Sequence, residues 1–277
     1  MGFSKGARGL GFFLAGLAFL GAATPRSRGL SLKSASALVL DQSTGQTLLE
    51  KQASAVVPIA SLTKLMTAMV LLDARLDPLE TITITSDDKD TLRHSRSRLP
   101  VGTRLPREQA LLLALLASEN RAAHALGRTF PGGLTAFVQA MNAKAQQLGL
   151  TGTRFEDPTG LSSGNVATAR DLARIMDAAY QYPEIRDFST RPATSIQAGR
   201  HSIQFPNTNA LVRSPRWDIG LSKTGYIEEA GRCLVMQAML ANRPVLIILL
   251  DSWGKYSRLG DANRIKQWME ARLGSKG

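Results

Sequence analysis

The strongest constraint on this chain's fold is where its extended apolar runs fall: near both ends, with helical patterning between them. Near the start, Ala37-Leu-Val-Leu-Asp41 and Thr47-Leu-Leu-Glu50 flank the polar, glycine-bearing Gln42-Ser-Thr-Gly45, the pattern of a β-hairpin. Near the end, Leu234–Leu240 and Pro244–Leu250 are joined by Ala241-Asn-Arg243. A closing amphipathic helix over about 258–272 puts Ile265, Trp268, Met269 and Leu273 on one side. Strands so far apart in sequence bury their apolar faces together by sharing one sheet. The expected class is therefore mixed α/β, of the α+β type. An antiparallel sheet, closed by pairing the N-terminal hairpin with the C-terminal strands, is flanked by helices and carries a helical subdomain.

The middle of the chain supplies those helices. Residues 62–74 repeat Leu62, Leu65, Met66, Met69 and Leu72 on one face, and 107–117 is apolar nearly all round, as a fully buried helix would be. Helical pattern returns at about 121–129, 134–148 (with Gly149 as C-cap) and 168–180. Thr81-Ile-Thr-Ile-Thr85 and His201–Phe205 read as short strands. No linker-like stretch divides residues 35–273, which are expected to form a single domain.

The first residues differ in character. Lys5 and Arg8 precede an apolar run from Leu10 to Leu20, and Gly21-Ala22-Ala23 follows. That is a secretory signal peptide over residues 1–23, cleaved near Ala23, with residues 24–34 as an exposed linker. An uncleaved anchor is the alternative, although the run is short of the ~20 apolar residues that span a bilayer. Export places the protein in the periplasm. The single cysteine, Cys233, excludes an internal disulfide and sits in an apolar strand as a core residue. Net charge is +12, and +10 once Lys5 and Arg8 are removed, which suits an anionic wall polymer or membrane surface. No zinc-finger spacing or RNA-binding signature accompanies it, so no nucleic-acid partner is expected. His94, His124 and His201 lack metal-ligand spacing and any G-x-S-x-G partner, so neither a metal, a cofactor nor a Ser-His-Asp triad is expected.

Chemistry is carried by three short motifs. Ser61-Leu-Thr-Lys64 puts a hydroxyl and an amine one helical turn apart, and a lysine made neutral by low dielectric can take a serine's proton. Pro58-Ile-Ala60 would set Ser61 at a helix start, where free N–H groups stabilise negative charge. Spacing alone is not decisive, because Ser86-Asp-Asp-Lys89 and Ser252-Trp-Gly-Lys255 share it. The first lies in a charge run and reads as a solvated loop, the second as a turn; only Ser61 opens an amphipathic helix. Ser118-Glu-Asn120 ends the buried helix and offers a hydroxyl and a carboxamide at a cleft rim; Ser163-Gly-Asn165 matches its pattern but reads as an ordered loop. Lys223-Thr-Gly225 can hold a carboxylate while Gly225 admits a ligand backbone closely, or Lys223 merely guards a strand edge.

In this order, the three motifs resemble those of the penicillin-binding proteins and serine β-lactamases. Asp157-Pro-Thr-Gly160, Phe205-Pro-Asn-Thr-Asn209 and Lys223-Thr-Gly-Tyr-Ile-Glu-Glu-Ala-Gly231-Arg-Cys-Leu-Val235 look most like the low-molecular-mass D-alanyl-D-alanine carboxypeptidases and endopeptidases, the last stretch like the endopeptidases. The resemblance implies a β-lactamase/D,D-peptidase-like fold and a set of roles. Ser61 would be the nucleophile, Lys64 its base and Ser118 a proton relay. Asn120 would orient the acyl amide, Lys223 and Thr224 would bind a terminal carboxylate, and Gly225 would leave room for it. The backbone N–H groups of Ser61 and Tyr226 would form an oxyanion hole. Peptidoglycan is the implied substrate, and β-lactams the implied covalent inhibitors. Only 26 residues follow Asp251, which with the motif flanks favours an endopeptidase cutting D-alanyl–diamino-acid crosslinks over a carboxypeptidase. A serine β-lactamase would need an acid to activate the deacylating water, and Glu156 lies in surroundings that do not match. A silent wall-binding protein would not require Lys64.

Overall fold

The computed structural model describes residues 30–199 and 201–273. The expected signal peptide, and the linker up to residue 29, lie outside the described residues. In chain order the elements are β1 (Ser34–Asp41), β2 (Thr47–Lys51), β3 (Val57–Pro58), a 3₁₀ turn (Ala60–Thr63) running into α1 (Lys64–Asp73), β4 (Thr81–Thr83) and β5 (Arg104–Pro106). Then follow α2 (Arg107–Leu116), α3 (Asn120–Arg128), α4 (Gly133–Gln147), β6 (Val166–Ala167), α5 (Ala169–Ala179), α6 (Pro183–Thr190), β7 (Ala193–Ala198) and β8 (His201–Pro206). The chain closes with β9 (Asp218–Ile227), β10 (Gly231–Leu240), β11 (Arg243–Ser252) and α7 (Ser257–Leu273).

Five strands form one antiparallel sheet in the order β2-β1-β11-β10-β9. The N-terminal hairpin does pair with the C-terminal strands, Leu38 opposite Ile248 and Ala37 opposite Leu249. Period-two alternation along fully buried strands divides the side chains between two cores. Val245, Ile247 and Leu249 join Leu234, Met236 and the Ala262, Ile265 and Met269 stripe of α7. Leu246, Ile248 and Leu250 join Leu38, Val235 and the helices α1, α2 and α5. Full burial of each such aliphatic side chain contributes roughly 1.5–3 kcal/mol, so the sheet is fixed from both faces. β1 begins at Ser34, within the stretch read as linker. The Ser34 amide and hydroxyl donate to Asp261 of α7, at 2.7 and 2.6 Å. No helix among the described residues is long and apolar enough to cross a membrane.

The structure departs from the sequence reading at several points. The α-helix after Ser61 starts at Lys64, and Ser61 itself lies in the 3₁₀ turn entered through Ala60 at φ +49°. The β10–β11 turn has two residues, Ala241 and Asn242, both at positive φ, with Arg243 already paired to Leu240. Ser86, Asp87 and Lys89 are exposed as a solvated loop would be, but Ser86–Asp88 form a 3₁₀ turn and Asp88 is buried. Its carboxylate meets His124 Nδ1 at 2.8 Å and Arg128 Nη2 at 2.9 Å, and accepts the Thr85 amide at 2.7 Å. Burial works against this charge, but hydrogen bonds from His124, Arg128 and Thr85 outweigh it and bring the pKa down to about 2. A carboxylate depressed in this way stabilises the fold above its unfolded pKa, and that stabilisation is lost as pH falls from about 4 towards 2. Asp88→Asn is therefore expected to lower stability at neutral pH by about 2 kcal/mol, with a smaller deficit near pH 2, as read from urea midpoints across pH.

Candidate active site

Ser61 and Lys64 converge as their spacing implies. Lys64 Nζ lies 2.9 Å from Ser61 Oγ, 2.8 Å from Asn120 Oδ1 and 2.6 Å from the Thr159 carbonyl oxygen. Two of these three partners are obligate acceptors; only the serine hydroxyl can also donate. A neutral amine has two N–H bonds, so when both serve Asn120 and Thr159 its lone pair faces Ser61. Lys64 is fully buried, and loss of hydration lowers its pKa to about 7, with Asp157 and Glu119 limiting the fall. The site thus holds an amine that can accept a proton near neutral pH, one hydrogen bond from a hydroxyl.

The opposite wall is β9, the outer strand of the sheet. Lys223, also buried, reaches across to Ser118 Oγ at 2.9 Å and to the Thr224 carbonyl at 3.0 Å. Its amine is pushed well below the ordinary lysine value, by burial first and then by the nearby Lys64 and Arg258. Ser118 sits between α2 and α3 at φ +58°, a turn that aims its hydroxyl at Lys223. Thr224 Oγ1 donates to Thr208 Oγ1 at 2.7 Å. Gly225 passes so close to the nucleophile that a Cβ there would lie 3.0 Å from the Ile59 carbonyl oxygen and 3.1 Å from the Ser61 nitrogen. Tyr226 is the next residue along the strand, opposite Arg232 of β10. Hydrogen bonds thus join Ser61, Lys64 and Asn120 on one side and Ser118 and Lys223 on the other, with Gly225 beside Ser61; Thr224 and Tyr226 flank Gly225 along β9.

Several residues of the site were not singled out from the sequence. The loop Asp157–Asn165 supplies the Thr159 carbonyl, and Asp157 Oδ1 accepts the amides of Thr159 (2.6 Å) and Gly160 (2.9 Å). Burial opposes the Asp157 charge, but bonds from Thr159, Ser162 and Gly160 lower its pKa overall. Asn165, from the rejected Ser-Gly-Asn match, belongs to this loop and donates to Asp157 Oδ2 at 2.6 Å. Ser95 Oγ accepts Asn120 Nδ2 at 3.0 Å. Arg93 spans one end of the cleft, from the Leu161 carbonyl (2.5 Å) to Glu229 (2.8 Å) in the β9–β10 turn. Arg258 of α7 donates to the Gly225 carbonyl at 3.1 Å. Asp-Pro-Thr-Gly was the one visible signal for the loop; Ser95 and Arg93 stand in a segment without pattern, and Arg258 opens the closing helix, whose apolar face says nothing of this contact.

A model of the D-alanyl-D-alanine carboxypeptidase family matches residues 22–253. The D-alanyl-D-alanine endopeptidase of Pseudomonas aeruginosa is 47% identical over 256 residues, which is 90% of this chain and 82% of that protein. The D-alanyl-D-alanine endopeptidase of Escherichia coli K12 is 43% identical, covering 86% of this chain and 78% of that protein. A D-alanyl-D-alanine carboxypeptidase of Streptomyces sp. strain K15 is more distant, at 31% identity over 83% of this chain and 84% of its own length. The crystal structure of the Streptomyces K15 DD-transpeptidase superposes with a TM-score of 0.80 at 28% identity, covering 87% of this chain and 98% of that chain.

Proposed function

Because the chain belongs to the D-alanyl-D-alanine carboxypeptidase family of serine peptidases, we propose that it cuts D-alanyl crosslinks in peptidoglycan through an acyl-enzyme on Ser61. The observation that carries this reading is the Lys64 amine, fully buried, 2.8 and 2.6 Å from two acceptors and 2.9 Å from the Ser61 hydroxyl. Lys64 takes the Ser61 proton as Oγ attacks the D-alanyl carbonyl. The oxyanion is received by the backbone N–H groups of Ser61 and Tyr226, and losing one such donor typically costs about 10²–10³ in rate. As the tetrahedral intermediate collapses, Ser118 passes a proton to the leaving amine and the acyl-enzyme remains. Water then attacks the ester, and the D-alanyl carboxylate leaves. Asn120 retains a second Nδ2 N–H beyond the one given to Ser95, which can hold the acyl amide. Lys223 and Thr224 hold a substrate carboxylate. β-Lactams would acylate Ser61 by the same route. Residues 1–23 act as the export signal, and the protein works in the periplasm.

Endopeptidase action is favoured over carboxypeptidase action by the similarity: the endopeptidases are 43% and 47% identical, the Streptomyces carboxypeptidase 31%. A β-lactamase reading is disfavoured by Glu156, whose carboxylate pairs with Arg154 at 2.9 Å and accepts the Ser162 hydroxyl at 2.6 Å, away from Ser61. Purified protein is expected to convert crosslinked dimeric muropeptides to monomers, and Ser61→Ala to abolish the conversion. Release of terminal D-Ala from pentapeptides with dimers untouched would establish a carboxypeptidase instead. Rapid multiple turnover of nitrocefin would point to a β-lactamase, and an unchanged digest with Ser61→Ala would leave only a binding protein.

A further inference from the structure

Where β9 leaves the cleft, the surface changes chemistry. Tyr226, 56% exposed, follows Gly225, and its cross-strand partner Arg232 stands 4.5 Å over the ring. Arg232 lies opposite Ser252 at the end of β11. The next residues bring out Trp253, 84% exposed, and Tyr256, 67% exposed, with the Lys255 ammonium 5.4 Å from the Tyr256 ring. Arg258, one turn further, ties this corner to the catalytic strand through the Gly225 carbonyl. Arg232, Lys255 and Arg258 form no ion pair among the described residues.

Large rings left in water forgo the stabilisation that burial would give them, so a cluster of them marks a contact surface. Flat aromatic faces suit the C–H face of a sugar ring, and unpaired cations suit carboxylates. We propose that Trp253 and Tyr256, with the neighbouring cations, form a platform for the carbohydrate strand of the polymer whose peptide enters the Ser61 cleft. This rests on the reading of peptidoglycan as substrate. Continuity favours it: a crosslink lying along β9 is attached to a glycan, and the platform starts at the residue after Gly225. A lipid surface would also accept tryptophan, tyrosine and lysine. Seated here, however, it would press the mouth of the cleft against the membrane and leave a network polymer no way in.

The test is co-sedimentation of the mature protein, carrying Ser61→Ala so that nothing is digested, with insoluble glycan strands stripped of their stem peptides. Adding Trp253→Ala and Tyr256→Ala together is expected to weaken binding at least about tenfold, the change that corresponds to 1.4 kcal/mol. In the active background the same pair should leave acylation by a fluorescent penicillin, and cleavage of a soluble sugar-free crosslinked peptide, within about twofold. Trp253→Phe should restore most of the binding. Unchanged glycan binding in the double variant overturns the proposal. So does a loss confined to vesicles of anionic phospholipid, which would make the patch a membrane contact. Should wild-type protein leave crosslinked dimers uncut while glycan binding still needs both rings, the activity reading fails and the platform stands.

Discussion

Lys64→Ala is expected to slow acylation of Ser61 by a fluorescent penicillin by about 10²–10⁴-fold, the usual worth of a positioned general base. The pH dependence gives the sharper signature. Only neutral Lys64 can accept a proton, and its pKa is lowered to about 7. Wild-type acylation should therefore climb as pH rises towards about 7 and level off above it, and Lys64→Ala should lose that ascending limb. Lys64→Arg should not rescue it, since a guanidinium stays protonated at these pH values. The Lys223 amine is depressed as well and lies in the same site, so it is the group to suspect if the limb survives in Lys64→Ala. Survival would remove Lys64 from the role of base.

The pair was legible in the sequence, but only through its surroundings. Ser61-Leu-Thr-Lys64 is one of three such spacings, and what distinguished it was the amphipathic run behind it. The closure of the sheet was legible too, because β1, β10 and β11 are apolar on both faces and have few other places to go. Less visible were the small elements. α6 has eight residues and a proline as its start signal, and β7 is largely exposed, so neither imposes a period on the sequence. Backbone groups were invisible for a different reason: Thr159 contributes its carbonyl to Lys64, and any residue type carries one. Arg93 and Arg258 act across 136 and 33 residues of chain, and no local pattern records such distances. Asp88 was misread because four charged residues in a row, Asp87 to Asp90, resemble solvent-facing chain, whereas its partners Arg128 and His124 lie forty and thirty-six residues away.

Gly160→Ala should be among the most damaging single methyl additions at the described glycines. Gly160 sits at φ +82°, and a Cβ there would lie 2.0 Å from the Ala60 carbonyl oxygen and 2.8 Å from the Ser61 nitrogen. Nothing soft can yield. Ala60 is itself at φ +49°, and Asp157 pins the loop through the Thr159, Gly160 and Ser162 amides at 2.6, 2.9 and 2.9 Å. Left-handed strain costs about 1–3 kcal/mol and an overpacked contact a similar amount, so a loss of about 2–6 kcal/mol in stability is expected. Relief by moving the loop outward withdraws the Thr159 carbonyl from Lys64, and relief by moving Ala60 displaces Ser61 from Lys64. Either way acylation should fall by about 10²-fold or more, because displacements of about 1 Å at a reacting centre have that effect. Gly45 separates sterics from backbone strain: it lies at φ +70° in the β1–β2 turn with nothing within 4 Å of a Cβ. Gly45→Ala should cost only about 1 kcal/mol and leave the acylation rate unchanged. Urea midpoints and penicillin acylation rates on both variants decide the matter. If Gly160→Ala proves no worse than Gly45→Ala in either measurement, the loop does not bear on Ser61 as the geometry requires.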